Sequence, residues 1–193
     1  QIKSSLSSGG FGKTYKAVWY FQDHKKTIRT KVAIKEFFLN NIQKRDEKTL
    51  DVITPLDHTE DISKALRKFM GEANRIKEFT DSPHIINVYD AFDEHKTCYY
   101  VMEYIEGCTL EEYVEQTESC TLEEKEALKI ISQIASALDI MHQNHMNHLD
   151  VKPSNIMIDE DNDNRAVLID FGTAHLFHDD KKSETSLLLV CSN

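Results

Sequence analysis

The alternation of apolar and polar residues predicts strands and one helix in the first half of the chain. Runs rich in β-branched and aromatic residues favour strands, and they occur over residues 14–21, 31–35, 86–92 and 97–103. Residues 40–60 are polar and mixed, and we interpret them as a loop or an insertion. Residues 61–79 predict a helix, because apolar residues recur there at three- and four-residue steps. This stripe comprises Leu66, Phe69, Ala73, Ile76 and Phe79.

The second half of the chain has a helical pattern from Thr109 onward. Residues 121–124 (Thr-Leu-Glu-Glu) have the spacing of a capping box, which predicts that a long helix begins there. Its predicted buried stripe comprises Leu128, Ile131, Ala135, Leu138 and Met141. Short predicted strands over 156–158 and 166–169 bracket an acidic turn. Strands with one helix, followed by helices with a small β-ribbon, predict an α+β protein whose two parts meet near residues 104–107.

Net charge and cysteine spacing narrow the classes of function. The formal net charge is −10, which argues against a sequence-independent nucleic-acid binder, because such proteins need a basic surface. The chain is 40% hydrophobic and 29% charged, as is typical of soluble globular proteins. No apolar run approaches the ~18 residues of a membrane span. The four cysteines lack the spacing of a zinc site or a disulfide framework, so we interpret them as reduced thiols of a cytoplasmic protein.

Two short motifs in the second half carry residue types that phosphoryl transfer needs. One is His148-Leu149-Asp150-Val151-Lys152-Pro153-Ser154-Asn155, and the other is Asp170-Phe171-Gly172. Phosphoryl transfer needs a carboxylate for the substrate hydroxyl, an ammonium for the phosphate oxygens, and an amide with a second carboxylate for Mg²⁺. The two motifs contain these groups in this order. The motifs resemble the catalytic loop and metal-binding motif of eukaryotic-like Ser/Thr protein kinases.

The resemblance implies a two-lobe α+β kinase fold, with a β-rich N-lobe over residues 1–104 that holds one helix. A partial, mainly helical C-lobe would follow over residues 105–193. It further implies that Asp150 accepts the proton of the substrate hydroxyl and that Lys152 neutralises charge on the moving phosphoryl group. Asn155 and Asp170 would bind Mg²⁺. The lysine two residues after the aspartate is the pattern of Ser/Thr kinases within the family.

A glycine cluster and a buried lysine in the first part extend the resemblance. The cluster at Gly9, Gly10 and Gly12 is by itself more typical of a plain hairpin turn. It precedes the sequence Val-Ala-Ile-Lys at residues 32–35, as in the kinase loop that covers the ATP phosphates, although serine replaces the first glycine of that loop. The resemblance implies that Lys35 contacts the α- and β-phosphates and forms an ion pair with Glu72.

The resemblance also implies an adenine site at the junction of the two parts. Met102 would be the gatekeeper residue, and the backbone C=O of Glu103 and N–H of Ile105 would meet the adenine edge. The ring would lie between two further apolar side chains, Ala33 and Met157. Without the resemblance, this stretch indicates only a strand that ends in a glycine turn.

Leu149 departs from the family pattern. Most members carry arginine at this position, where it pairs with a phosphorylated residue of the activation loop. Leucine cannot make that charge-assisted contact. We therefore expect that phosphorylation of that loop does not switch this kinase through position 149.

The resemblance covers about the first two-thirds of the family's domain and lacks its Ala-Pro-Glu motif. We therefore expect a fragment of a larger protein, with low phosphotransfer to peptides. The later helices of the family would cover Leu128, Ile131 and Leu138. Left uncovered, that patch would favour self-association.

The expected function is transfer of the γ-phosphate of ATP to Ser or Thr hydroxyls of a protein substrate, with ATP and Mg²⁺ as cofactors. One alternative is a pseudokinase or nucleotide-binding scaffold, although Lys35, Asp150 and Asp170 are all present. A kinase of small molecules would generally lack Lys152. A dinucleotide-binding fold would need a strand–turn–helix at the glycines, whereas the pattern here predicts strand after strand.

Overall fold

The computed structural model describes residues 1–9, 12–23, 26–79, 82–171 and 175–176 of the chain. Its first part is built on a five-stranded antiparallel sheet in the order β1-β2-β3-β7-β6. The strands of this sheet are β1 (Ile2–Gly9), β2 (Gly12–Asp23), β3 (Lys26–Glu36), β6 (Val88–Glu94) and β7 (Thr97–Glu103). Two-residue strands β4 (Lys44–Arg45) and β5 (Val52–Ile53) pair with each other between β3 and the first helix. The interpretation of residues 40–60 as largely loop agrees with this arrangement.

Helix α1 (Thr59–Ile76) lies against this sheet, and a 3-10 turn (Lys77–Phe79) extends it. The apolar stripe predicted for this helix is largely confirmed. Ile62, Phe69, Ala73 and Ile76 are buried, as is Phe79 in the 3-10 turn, and Leu66 is partly buried. The burial of this stripe supplies most of the helix's stability, since an isolated helix of this length is marginal in water.

The second part begins with β8 (Gly107–Thr109) and the short helix α2 (Leu110–Glu115), and then holds the long helix α3 (Glu124–Gln143). Strands β10 (Ile156–Asp159) and β11 (Arg165–Leu168) form a ribbon with β8, and β9 (Met146–Asn147) pairs with β12 (His175–Leu176). The 3-10 turn Pro153–Asn155 precedes β10. A parallel bridge between Ile85 and Leu168 joins the first part to this ribbon. The predicted α+β class is confirmed, whereas the boundary between residues 104 and 105 stays a prediction.

The predicted capping box at Thr121 is wrong. Helix α3 begins two residues later than expected, with Glu123 as an N-cap residue that makes no side-chain cap. The backbone N–H of Thr121 donates to Thr117 Oγ1 at 3.1 Å, and its hydroxyl meets Ser119 Oγ, so its polar groups belong to the preceding turn. The capping box lies instead at the start of α2, where Thr109 and Glu112 satisfy each other's backbone N–H.

The predicted buried stripe of α3 is wrong at Leu128, Ile131 and Ala135 and is confirmed at Met141. The helix buries Ile130, Ile134, Ala137 and Met141, while Leu128 and Ile131 are 58% and 62% exposed. Ala135 is exposed and Leu138 partly buried. Apolar residues recur at helical spacing on two faces of α3, and contact with β11 and β9 selects one of them. Spacing alone cannot tell which face a neighbouring element covers.

Candidate active site

Three charged side chains that are distant in sequence come together between strand β3, helix α1 and the segment that contains Asp170. Lys35 on β3 places its Nζ 3.1 Å from Oδ1 of Asp170, which is 135 residues later in the chain. The same Nζ lies 3.9 Å from Oε1 of Glu72 on α1. Glu72 occupies the buried stripe of the helix, and its side chain is only 5% exposed. We name Lys35, Glu72 and Asp170 the lysine cluster.

In the lysine cluster, burial and neighbouring charges have opposite effects on the pKa values of Lys35 and Glu72. Burial disfavours the charged form of Lys35, but Tyr100 and the carboxylates of Glu72 and Asp170 outweigh it, so the pKa of Lys35 lies above its usual value. Burial raises the pKa of Glu72, and Lys35 limits that rise. Lys35 is therefore a stable cation at neutral pH, which is the state that an anionic phosphate needs.

Tyr100 on β7 is a member of this site that the sequence did not reveal. It lies opposite Lys35 in the β3–β7 register. Its hydroxyl donates to Oε1 of Glu72 at 3.3 Å. The only signal in the sequence is a tyrosine in a strand, which indicates ordinary core packing equally well.

The catalytic-loop residues predicted from the motif come together in the second part of the fold. Asn155 donates through Nδ2 to the backbone oxygen of Asp150 at 2.9 Å and to its Oδ2 at 2.8 Å. Nζ of Lys152 lies 2.9 Å from the same Oδ2. The hydrogen bond to Asp150 raises the pKa of Lys152. These two contacts orient the Asp150 carboxylate through its Oδ2 atom.

His148 connects the two motifs. Its ring packs edge-on against Phe171 with the centroids 4.9 Å apart. Its Nε2 lies 3.2 Å from the backbone oxygen of Ile169, and its Nδ1 accepts from the backbone N–H of Asp150 at 3.3 Å. Both contacts together require the neutral tautomer with hydrogen on Nε2. Burial lowers the pKa of His148, which favours that neutral form.

Two residues of the candidate site, Leu149 and Asp170, have strained backbones. Leu149 has φ of 65° and Asp170 has φ of 60°, a left-handed conformation that costs a residue with a Cβ atom about 1–2 kcal/mol. Leu149 is also 68% exposed. Backbone strain of this kind persists only where the contacts of the surrounding structure hold the residue in place, and it is common at functional sites. The expectation about phosphorylation and position 149 stays a prediction.

The donor set fits a magnesium ion. Asp170 supplies a carboxylate, and Asn155 supplies an amide oxygen because its Nδ2 already donates to Asp150. The backbone N–H of Ile169, next to Asp170, donates to the backbone oxygen of Asn155 at 2.9 Å, which connects the two segments. Within the described ranges, no group of three or more His, Cys, Asp or Glu side chains could hold a metal. Mg²⁺ needs no such group, because it binds one or two protein oxygens and takes the rest from water and phosphate.

The residues predicted to hold adenine lie where the two parts meet. Ala33 is buried and pairs with Met102 across β3 and β7. Glu103 pairs with Val32 at the end of β7, and Ile105, two residues later, is buried. Met157 on β10 is partly buried, and Met102 packs against the same core. The backbone N–H of Glu103 donates to the backbone oxygen of Asn87, and its side chain pairs with Arg165.

The glycine cluster is described in part. Gly9 and Gly12 pair where β1 turns into β2, whereas Gly10, like Gly172 of the second motif, lies outside the described residues. A Cβ atom on Gly12 would lie 2.7 Å from the backbone oxygen of Glu36. Only glycine therefore allows the start of β2 to approach Glu36 of β3 this closely.

Comparisons with known proteins agree on one family. Residues 1–190 match the family model described as protein kinase domain. Serine/threonine-protein kinase PrkC of Bacillus subtilis is 45% identical over 94 residues, which are 49% of this chain and 14% of that protein. A serine/threonine-protein kinase of Caenorhabditis elegans is 28% identical over 177 residues, which are 90% of this chain and 16% of the relative. This chain thus spans less than a fifth of each of these two relatives.

Among solved structures, the PpkA-294 apo form resembles this fold with a TM-score of 0.76 at 24% identity. The match covers 89% of this chain and 57% of that one. In the part of the chain that the structure describes, no helix is both long and apolar enough to cross a membrane.

Proposed function

The chain belongs to the protein kinase domain family, and from this premise we propose that it transfers the γ-phosphate of ATP to Ser or Thr hydroxyls of a protein substrate. The observation that carries the proposal is the 3.1 Å contact between Lys35 Nζ and Asp170 Oδ1. It brings a phosphate-binding cation of the first part to a metal-binding carboxylate of the second. The junction of the two parts then has both of the charges that a metal–triphosphate complex requires.

The proposed chemistry uses the residues of the catalytic loop. Asp150 orients the substrate hydroxyl and accepts its proton as the oxygen attacks the γ-phosphorus. Lys152, held 2.9 Å from Asp150, offsets the negative charge of the phosphoryl group in transit. When bound, Mg²⁺ would be held by Asp170 and Asn155 and would neutralise charge on the phosphate oxygens.

The proposed nucleotide site lies between the sheet and β10. Ala33 and Met157 would enclose the adenine ring, and Met102 would limit the space behind it. The backbone C=O of Glu103 and N–H of Ile105 would bind its edge. Gly9, Gly10 and Gly12 would let the β1–β2 turn approach the phosphates, and Lys35 would bind the α- and β-phosphates, steadied by Glu72.

Cytoplasmic location also stays a proposal. It is supported by free thiols at Cys98, Cys108 and Cys120, since thiols of proteins in oxidising compartments commonly form disulfides.

A nucleotide titration with two variants tests the function. Mg²⁺-ATP should raise the melting temperature of the chain in a concentration-dependent way, because it binds only the folded form. Asp170→Ala should abolish the rise. Asp150→Asn should retain it but lower transfer of radiolabelled phosphate to protein by at least about a hundredfold, the value of a general base. Asp139→Asn, a change to an exposed residue of α3, is the matched control.

The same experiment separates the alternative functions. If Mg²⁺-ATP leaves the melting temperature unchanged, the proposed nucleotide site is wrong. If it raises the melting temperature but no phosphate is transferred above the level of Asp150→Asn, the chain is better described as a nucleotide-binding scaffold.

A further inference from the structure

Tyr100 makes a polar contact that its packing does not require. Its side chain is buried, with 2% of the residue exposed. Its hydroxyl donates to Glu72 Oε1 at 3.3 Å, the same oxygen that lies 3.9 Å from Lys35 Nζ. The Lys35 ammonium also lies over the ring, 5.7 Å from its centroid, within the range of a cation–π contact. Tyr100 thus touches both partners of the ion pair.

The ring of Tyr100 also continues an aromatic row that attaches α1 to the sheet. Phe37, just after β3, packs edge-on against Phe69 of the helix with centroids 5.7 Å apart. Phe69 in turn packs against Tyr100 at 4.9 Å. Phe69 lies three residues before Glu72, so the row supports the helix one turn from the carboxylate. A phenylalanine at position 100 would complete this row equally well, which leaves the hydroxyl to be explained.

The contacts within the lysine cluster show why such a hydroxyl matters. Lys35 lies nearer to Asp170, at 3.1 Å, than to Glu72, at 3.9 Å. The ion pair with Lys35 is therefore a loose restraint on the Glu72 carboxylate, which also interacts with the backbone N–H of Phe171. Tyr100 supplies a further restraint, from a strand that is itself paired with β3 opposite Lys35.

We propose that Tyr100 is a positioning residue for phosphate binding. Its hydroxyl holds the Glu72 carboxylate in place, so that Glu72 can keep its ion pair with Lys35 while Lys35 binds the nucleotide phosphates. The role rests on the proposed function, because it presumes that Lys35 binds phosphate. Tyr100 itself does not touch the nucleotide. Its contribution passes through Glu72 and Lys35, so it should concern the phosphates and not the adenine.

Comparing ATP with adenosine tests this role. In Tyr100→Phe, which retains the ring, the Kd for Mg²⁺-ATP should rise about three- to tenfold, the value of one hydrogen bond. The Kd for adenosine, which has no phosphate, should change less than twofold. A purely structural role would change both constants together. Binding is measured on the 193-residue chain by calorimetry for ATP and by ligand-observed NMR for adenosine.

Tyr99→Phe is the matched control. Tyr99 precedes Tyr100 on β7 and donates its hydroxyl to a different carboxylate, that of Glu36, at 2.7 Å. This variant loses an equivalent hydrogen bond and should leave the ratio of the two dissociation constants unchanged. An unchanged ratio in Tyr100→Phe would overturn the proposal while leaving the proposed function intact. Absence of Mg²⁺-ATP binding by the unmodified chain would contradict the proposed function itself, and this role of Tyr100 with it.

Discussion

Two consecutive residues of β3, Lys35 and Glu36, lie in two ionic clusters with opposite character. Successive side chains of a strand point to opposite faces of the sheet. The same holds for the neighbouring strand β7, where Tyr100 pairs with Lys35 and Tyr99 pairs with Glu36. Each face therefore holds a buried glutamate that accepts a hydrogen bond from a tyrosine of β7. The two clusters differ in how completely that glutamate is satisfied.

We name Glu36, Tyr15, Tyr99 and Arg45 the Glu36 cluster. It is closed, in the sense that both carboxylate oxygens of Glu36 accept short hydrogen bonds. Tyr15 donates to Oε2 of Glu36 and Tyr99 to Oε1, both at 2.7 Å, and Arg45 pairs with Oε1 as well. Burial and the hydrogen bond to Glu36 raise the pKa of Tyr99 to about 12. Glu36 is 1% exposed, so neither solvent nor a ligand reaches it. Arg45 comes from β4, so the cluster fastens the segment between β3 and α1 to the sheet.

The lysine cluster is open by comparison. The contacts of Lys35 with Asp170 and Glu72 and the hydrogen bond from Tyr100 to Glu72 are 3.1, 3.9 and 3.3 Å long, and the cation is shared between two carboxylates. Such a group can exchange partners when an anionic ligand arrives, whereas a saturated group would have to break hydrogen bonds first. Under the proposed function, the Glu36 cluster is structural and the lysine cluster binds phosphate.

The largest effect that tests this contrast is expected at Glu36. Glu36→Gln keeps the size of the side chain but leaves the Arg45 guanidinium without its counter-charge. Because the Arg45 side chain is 27% exposed, we expect the loss of this ion pair to cost about 1.5–3 kcal/mol, the value of hydrogen bonds to a charged group. Urea unfolding should therefore show a large loss of stability, while the Kd for Mg²⁺-ATP, measured on the remaining folded protein, should stay within about twofold of the parent value. A large loss of affinity with unchanged stability would reverse the assignment of the two clusters.

The complementary change is Lys35→Met. It should raise the Kd for Mg²⁺-ATP about tenfold to a hundredfold, because a charged phosphate contact is lost. The loss of unfolding free energy should be about 1 kcal/mol, since Glu72 can take up a proton once its cation is gone. The pair of variants should thus separate binding from stability. Equal losses of stability in both would show that the lysine cluster is as structural as the Glu36 cluster.

The smallest effect concerns His148, which lies in the active site but has the closed kind of contacts. Its folded pKa is depressed below the ordinary value of 6.5, so below that pH the unfolded chain binds more protons than the folded one. The stability contributed by the neutral ring is thus complete above pH 6.5 and is lost as the pH falls further. At pH 5.5 this loss amounts to at most about 1.4 kcal/mol.

The measurement is the unfolding free energy at pH 7.5 and 5.5. In His148→Phe, which retains a ring against Phe171, the difference between the two values should shrink by up to this amount. His142→Gln, at an exposed position of α3, controls for the loss of one imidazole. The explanation from His148 would be wrong if the two variants showed the same pH dependence as the unmodified chain.

Residue types and their order were sufficient to predict which residues of the candidate site come together. The Lys35–Glu72 pair, the Asp150–Asn155 loop and Asp170 could be named because the motifs that contain them resemble those of protein kinases. Four of the five strands of the first sheet and the stripe of α1 were also predictable, because runs of β-branched and aromatic residues indicate strands and three- and four-residue steps indicate a helix face. Other features had no such signal. The capping residues at Thr109 and the closed contacts of Glu36 depend on which neighbouring groups are already satisfied.

Local periodicity was therefore enough to predict the class of fold, and residue type together with the kinase resemblance was enough to name the side chains of the site. Contacts between distant segments settle which of two apolar faces of α3 is buried, which tyrosine of β7 reaches Glu72, and how tightly each carboxylate is held. These are properties of distances between segments far apart in the chain. The number and length of contacts at a side chain depend on all of its neighbours at once, and no single stretch of residues contains that information.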